Sequence, residues 1–594
     1  MLRRRILGLG APMSEASHRA AGRARKNGRA QAEDAAAAVR PAATSAGTPA
    51  ETEDLYGAYP RLSGGQVAAL ASLGHRRRVE SDETLIRAGD LSCDFYVILA
   101  GTTAVVEGRG TPCERLISVH GPDRFLGELG LLTGEAAFYS AVAVGPGEVL
   151  VVPAGKLRTL VASDPGFGDL ILRAFLIRRS ILIGLGVGLR IIGSRYSADA
   201  KRLRDFAARN RLPAQWLDVE EDSGAEALLT ELGVPPEDTP IVILYGERLL
   251  RNPSNPELAA AVGLPAPSTR HSTSDLLVVG SGPAGLSAAV YGASEGMETV
   301  VLDGMATGGQ AGLSPRIENY LGFPSGLSGA ELAVRAVIQA RKFGAKFTVP
   351  AEAMSVVRDD GQFTVQLDDG NSMTGTSMVI ATGARYRRPD LRRLEHFEKA
   401  SVYYAASQAE AMMCRGDPIV IVGGGNSAGQ ATVFLSRYAS SVTVVVREPD
   451  LAVSMSRYLI DRISRLDNVT ILLGTQVQEL MGNAVLEAVA VADSIGRRTV
   501  LDASALFIFI GMVPATGWLG DLVDLDDHGF VRTGHDARPA ECGWQTTALE
   551  TSQPGVFAVG DVRSGSTKRV ATAVGEGAMA IRLAFQRMQS RQGT

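Results

Sequence analysis

Short apolar runs closed by glycine and followed by small residues recur in the C-terminal half of the chain, a pattern that predicts a buried parallel strand, a tight turn and a helix. Two such runs stand out, Asp275-Leu-Leu-Val-Val-Gly280-Ser-Gly282-Pro283-Ala284-Gly285 and Pro418-Ile-Val-Ile-Val-Gly423-Gly-Gly425-Asn426-Ser427-Ala428. The N-terminal half reads differently. Over residues 56–165 short segments alternate, as in Phe95-Tyr-Val-Ile-Leu-Ala-Gly101 and Glu148-Val-Leu-Val-Val-Pro153, which predicts a small antiparallel barrel or jelly roll. Residues 166–188 predict a helical connector. Residues 189–264 predict strand, helix, strand, helix and a further strand after Asp238-Thr239-Pro240, and the Pro, Ser and Thr-rich stretch 265–274 reads as a linker. Residues 1–55, rich in Ala and Arg and poor in aromatics, cannot bury enough surface to offset ordering entropy and read as a disordered arm. Sparse early acids leave an organelle transit peptide as the alternative.

Composition narrows the class. A chain of 594 residues exceeds what one core supports, so three to four domains are expected. A net charge of -4 gives no global drive toward nucleic acid or anionic membrane. The most apolar stretch, Leu170 to Ile192, is broken by Arg173, Arg178, Arg179 and Arg190 and does not read as a membrane span. No secretory h-region is present, which favours the cytoplasm. The four cysteines, Cys93, Cys113, Cys414 and Cys542, form neither a C-x-x-C nor a zinc spacing, so no metal site is expected and the thiols read as buried or idle.

The two glycine-rich turns carry chemistry. Gly280, Gly282 and Gly285, and then Gly423 and Gly425, allow a tight turn and the close approach of backbone to a pyrophosphate, whose charge sits on the helix N-terminus. Two such sites imply two dinucleotides, and their simplest joint use is passing a hydride between them. After the first, the strand Glu298–Asp303 ends in the acid expected to bind an adenosine ribose. After the second, the strand Ser441–Val446 ends in Arg447, which suits the 2'-phosphate of NADPH, while Glu448 beside it could hold the unphosphorylated ribose of NADH.

Further motifs follow in order: Gly308-Gly309-Gln310, Ile317-Glu-Asn319, Ala381-Thr382-Gly383, Ile510-Gly511 and Gly555-Val-Phe-Ala-Val-Gly560-Asp561. Over about 272–590 the chain resembles the low-molecular-weight thioredoxin reductases. The resemblance implies two Rossmann-like α/β domains: a split FAD domain, 272–385 plus 516–594, and an NAD(P)H domain, 386–515, inserted in it. It implies a homodimer as well. It places Gln310 and Asn319 along the isoalloxazine and Gly560-Asp561 at the ribityl chain. Arg569, Val570 and Ala571 would open a helix whose N-terminus faces the flavin's pyrimidine end, where reduction develops negative charge. It departs at one place. The family's C-A-T-C pair is missing from Tyr403–Ala409, and Cys414 lacks a resolving partner in sequence. Hydride entry from NADPH to FAD is therefore expected to survive and the outlet to differ, with no catalytic side chain and with ferredoxin, a quinone, oxygen, a small disulfide or thioredoxin as the external acceptor. The alternatives are a thioredoxin reductase proper and a ligand-sensing regulatory flavoprotein.

The front half carries two further resemblances. Arg124-Phe-Leu-Gly-Glu128-Leu-Gly-Leu-Leu132 resembles the phosphate-binding cassette of cyclic-nucleotide-binding domains, in which the glutamate, here Glu128, holds the ribose. The arginine that pairs with the cyclic phosphate is replaced within Ala137–Ala141, which argues for a differently liganded, nucleotide-like site. Residues 189–264 resemble a glutaredoxin or thioredoxin fold, with Ser194 and Ser197 where that family has its cysteines and Thr239-Pro240 where it keeps a cis-proline. Serine forms no disulfide.

Overall fold

The computed structural model describes residues 49–592 apart from 92, 112–113, 195–196, 221, 236–237, 265–270, 315–316, 318, 399–400, 405, 407–409, 412–413, 484 and 539–545. The expected arm, as far as residue 48, and Cys113 and Cys542 lie outside the described residues. The arm's expected end at 55 is corrected, because Thr52 N–H donates to Val119 O at 3.0 Å and Glu51 pairs with Arg124 at 3.0 Å.

The first unit packs two antiparallel four-stranded sheets. One is ordered His75–Val79, Gly147–Val152, Phe95–Ala100, Phe125–Leu126, and the other Thr84–Ile86, Ser140–Ala143, Thr103–Glu107, Arg115–His120. Alternation puts Phe95, Val97, Phe125 and Leu150 inside. Helix α1 (Pro165–Leu185) begins at Asp164, whose side chain accepts from Phe167 N, with Pro165 at the first helical position, and it buries Phe167, Ile171 and Phe175 in the same core. The segment 166–188 is thus no mere connector, since its apolar face completes that core.

The charged residues of α1 go inside as well. Arg178 donates from Nε to Ala58 O and from Nη1 to Gly127 O, both at 2.7 Å, with its guanidinium 4.4 Å over the Phe125 ring. Arg179, 1% exposed, donates from Nε and Nη2 to Glu128 Oε2 at 2.9 and 2.7 Å, and its Nη2 lies 2.8 Å from Glu135 Oε2. Glu128 Oε1 accepts from Gly130 N.

The next unit has the sheet order β2 (Ala214–Asp218), β1 (Leu189–Gly193), β3 (Ile241–Leu244), β4 (Arg248–Arg251), with β1 and β2 parallel and β3 antiparallel to β1 and β4. Helix α2 (Ala198–Arg209) follows β1, capped by Ser197, and the Thr239–Pro240 peptide is cis. The α2 end docks onto the C-terminal half, where Asn210 Nδ2 donates to Met305 O at 3.1 Å.

In the C-terminal half a seven-stranded sheet is ordered Lys346–Thr348, β6 (Thr299–Leu302), β5 (His271–Val279), β7 (Ser372–Ile380), Gln362–Leu367, Ala353–Asp359, and β10 (Val556–Ala558) pairs in parallel with β7. The expected linker is shorter than 265–274, because 271–274 already pair with 372–375 in β5. Between β7 and β10 lies a second Rossmann-type unit. Its five parallel strands are Val402–Tyr403, Ala505–Ile508, β8 (Pro418–Val422), β9 (Ser441–Val445) and Val469–Leu472. The two units are joined by Ala384–Tyr386 and Met512–Pro514, which pair antiparallel.

Removing Arg179 strands two buried carboxylates, so Arg179→Met is expected to destabilise the N-terminal unit by about 3–5 kcal/mol. Amide exchange over 125–142 in the full chain should accelerate accordingly. Unchanged protection there would show that the triad does not hold the turn.

Candidate nucleotide-binding sites

At the first turn, Gly280 has φ +106, and a Cβ on it would stand 2.3 Å from Ala381 O. A Cβ on Gly285 would stand 1.8 Å from Gly280 O, so the helix presses on the strand end. Gly282 is different. A Cβ there would meet nothing nearer than Gly309 Cα at 3.9 Å, so this glycine leaves open space. Helix α3 (Pro283–Ser294) begins at Gly282 without a side-chain cap, and its first N–H groups face that space unclaimed by any cap. Asp303, after β6, is held on all sides: Oδ2 accepts from Ser281 N and Oγ at 2.8 Å, and Oδ1 from Met305 N at 3.0 Å and Ala306 N at 3.3 Å. Ser281 is a residue that sequence reasoning passed over, although it sits within the motif.

The C-terminal segment returns to this turn. Helix α6 (Val570–Gln592) packs on α3 so closely that a Cβ on Gly577 would lie 2.2 Å from Ala284 O. Its Glu576 accepts from Gly560 N at 2.7 Å and pairs with Arg563 at 2.6 Å, which fixes the Gly560-Asp561 turn. No spacing in the sequence marks Glu576. Lys568 Nζ donates to Asp561 O at 2.6 Å and lies 4.7 Å over the Phe530 ring. Burial raises the Asp561 pKa, against the pull of Lys568, and burial lowers that of Lys568. Arg569, Val570 and Ala571 stand at the open start of α6. Gln310 opens the short turn Ala311–Leu313, Gly309 has φ +55 against Gly282, and Asn319 is exposed beyond. Thr382 Oγ1 donates to Ala515 O at 2.7 Å and Gly383 O accepts from Ala515 N, tying this unit to the second joining strand.

The second turn repeats the arrangement. A Cβ on Gly423 would stand 2.3 Å from Phe509 O, Gly425 is open, and helix α5 (Asn426–Leu435) starts there uncapped with Ala428 buried. Asn426 Oδ1 accepts from Ser456 N at 2.7 Å, and Ser427 is exposed. Arg447, 74% exposed, pairs with Glu448 at 3.1 Å, and a Cβ on Gly424 would lie 3.2 Å from Glu448 Oε2. The carboxylate thus leans over the turn while the guanidinium faces outward. Gly511, φ +98, accepts from Arg387 N at its carbonyl.

Both turns fit a dinucleotide: glycine leaves the space, and uncapped helix N-termini supply donors for a pyrophosphate. Residues 274–577 match the family model of the pyridine nucleotide-disulphide oxidoreductases. The chain belongs to this family. Thioredoxin reductases of Mycoplasmopsis pulmonis and Treponema pallidum are 30% and 32% identical over 316 and 319 residues, which is 53% and 54% of this chain and 97% and 98% of those proteins. The crystal structure of a Streptococcus pyogenes thioredoxin reductase aligns with 54% of this chain and 99% of its own at 30% identity and a TM-score of 0.47. As a pyridine nucleotide-disulphide oxidoreductase, the chain is an NAD(P)H-dependent FAD enzyme, and its cofactors are FAD and NADPH. Residues 76–164 match the cyclic nucleotide-binding domain model.

That domain holds a cavity of about 340 Å³ lined by Asp94, Glu128, Glu135, Tyr139 and Arg158. Within the stretch where its relatives' arginine is replaced, Tyr139 Oη accepts from Gly127 N at 3.2 Å. The expected ribose ligand Glu128 has one oxygen taken by Arg179 and the other by Gly130 N.

The segment 403–409 lies partly outside the described residues, as does the turn between Ser194 and Ser197. Tyr404 is described and stacks on Tyr386 of the joining strand, centroids 5.4 Å apart. Cys414 is buried in the core of the second Rossmann-type unit, its Sγ donating to Glu410 O at 3.0 Å, and burial pushes its thiol up to about 11. No helix of the described residues is long and apolar enough to cross a membrane, and no group of His, Cys, Asp or Glu among them is arranged to hold a metal.

Glu576→Ala is expected to weaken FAD retention on the order of tenfold by freeing the Gly560 turn. The flavin-to-protein ratio after gel filtration, beside an unchanged far-UV spectrum, measures this. Alkylation of Cys414 at pH 8 should run on the order of a hundredfold slower than for a free thiol and rise with pH toward 11, because only the thiolate reacts. Peptide mapping reads that rate.

Proposed function

We propose that this chain carries reducing equivalents from NADPH through its flavin site to an external acceptor without an internal dithiol. The observation that carries the proposal is the state of Cys414: the one cysteine near the joining segment is packed in a core with its thiol raised and its Sγ donating to Glu410 O. When bound, FAD supplies the chemistry of accepting a hydride and passing electrons on. Gly282 and the start of α3, with Asp303, Gly560, Asp561, Gln310, Asn319, Thr382, Gly383, Arg569, Val570 and Ala571, hold and orient it. Gly423, Gly425, Asn426, Ser427, Ala428 and Arg447 hold the nicotinamide dinucleotide, with Gly511 at the boundary between the two. Arg447 supports NADPH over NADH, and Glu448 opposes that preference by leaning toward the ribose.

The acceptor in this reading is a small redox protein, a quinone or an external disulfide, thioredoxin included, since relatives are named for that activity. The unit 189–264 is a thioredoxin-like fold with serines in place of its dithiol, supported by the order of β1–β4 and by its cis Thr239–Pro240. The N-terminal unit 51–185, the flavin domain 271–385 plus 516–594, and the nicotinamide domain 386–515 complete a chain that works as a homodimer in the cytoplasm.

Anaerobic NADPH should bleach the bound flavin of the wild type and of Cys414→Ser alike. Loss of acceptor turnover in the serine variant, with bleaching retained, would reinstate an internal thiol. Arg447→Ala should cut the ratio of kcat/KM for NADPH over NADH about tenfold, with the NADH value nearly unmoved.

A further inference from the structure

The turn that carries Glu135 separates two cavities of opposite character. The one inside the cyclic nucleotide-binding domain is lined by three carboxylates, Asp94, Glu128 and Glu135, against Arg158, whose Nε is already committed to Leu131 O at 2.8 Å. That is a poor place for a phosphate. The second cavity, of about 110 Å³, lies where the N-terminal unit, the end of α2 and helix α4 (Gly329–Lys342) meet. It is lined by Arg179, Arg209, Arg211 and Arg341, with Glu135 the only carboxylate among its described lining residues.

Glu135 is itself spent. One oxygen pairs with Arg179 and the other accepts from Thr133 Oγ1 at 3.0 Å. Neither Arg211 nor Arg341 has a carboxylate within ion-pair distance among the described residues. Arg211 reaches Ser180 Oγ at 3.4 Å, and Arg341 donates to Thr133 O with its guanidinium 5.5 Å from the Phe347 ring. Burial lowers the pKa of both, aided by the charge of Arg179 at Arg211 and of Arg158 at Arg341, against the pull of Glu135 on both and of Glu331 on Arg211. Half-buried guanidinium groups without a directly paired carboxylate are costly, and each presents five donors of which most are unused here. A planar fork of donors around a water-sized-to-larger space suits a tetrahedral oxyanion.

We infer that the junction cavity is an anion site that takes a phosphoryl group, from inorganic phosphate or from a small nucleotide, through Arg211 and Arg341. Gly280, Asp303, Gly560 and Gly423 do not line it, although Gly309 of the flavin motif does, so the cavity borders the first dinucleotide turn without including it. It touches that turn through Ala306–Leu313, whose Gly309 abuts Gly282. The anion preference that the barrel interior lacks is met on the outer side of the same turn.

The holoenzyme and its Arg447→Ala variant, which lacks the exposed guanidinium of the nicotinamide site, are titrated calorimetrically with inorganic phosphate and with AMP at constant ionic strength. Saturable phosphate binding is expected in both, weakened about tenfold or more by Arg211→Gln with Arg341→Gln. Tighter binding of AMP than of phosphate assigns a nucleotide source, and equal binding assigns the free ion. A measurement on the wild type keeps the test intact if the double variant fails to fold: phosphate should shield Arg211 and Arg341 from phenylglyoxal, read by peptide mass spectrometry. No saturable phosphate binding, an unchanged isotherm in the double variant, binding lost in Arg447→Ala, or both arginines left unshielded would each overturn the inference.

Discussion

The C-terminal half depends on one steric constraint, the contact of a glycine with a carbonyl at the end of a strand. Gly285 lies against Gly280 O and Gly423 against Phe509 O so closely that no Cβ fits. These contacts pull each helix start over its strand and leave Gly282 and Gly425 facing open space. Helix N–H groups without a side-chain cap must find a partner, and an anion is the natural one. The residues around the first turn are arranged around that demand. Asp303 is immobilised by four donors, and α6 returns from the far end of the chain to place Gly560 and Asp561 through Glu576.

The N-terminal domain answers a different problem, how to bury two successive arginines. Arg178 is held by two carbonyls and aromatic faces with its Nη2 left without a hydrogen bond, and Arg179 by Glu128 and Glu135. The second solution consumes the carboxylate that the cassette motif would offer to a ribose. A buried triad of this kind contributes little net stability compared with apolar packing, but removing one member is expensive, so it fixes the turn between two cavities. Carboxylates collect on the inner side of that turn and guanidinium groups on the outer side.

The front units are not appendages. Lys342 of α4 donates to Ala162 O, Arg341 to Thr133 O, Asn210 reaches Met305 O beside Asp303, and Lys201 pairs with Glu395 next to the joining strands. These contacts bear on the turn after β6 and on the segment between the two Rossmann-type units. A change in either front unit therefore has a physical route to the redox half.

Local patterns sufficed for whatever is local. Apolar runs with glycine turns identified β5, β8 and the helices after them, Asp303 and Arg447 followed as strand-end residues, and the missing C-x-x-C was plain from four scattered cysteines. Such features repeat at fixed spacing because a tight turn dictates its own residues. The linker's last four residues were misjudged, since their small polar side chains hide a parallel pairing with 372–375, a hundred residues away. Helix α1 was expected as a connector, and its arginines are buried because Glu128, Glu135 and the carbonyls of Ala58 and Gly127 supply partners from elsewhere. Glu576 and the unpaired guanidinium groups of Arg211 and Arg341 had no signature at all. Their surroundings come from segments far apart in sequence, and charge compensation is a property of space, so only the tertiary structure decided which arginines found a carboxylate and which did not.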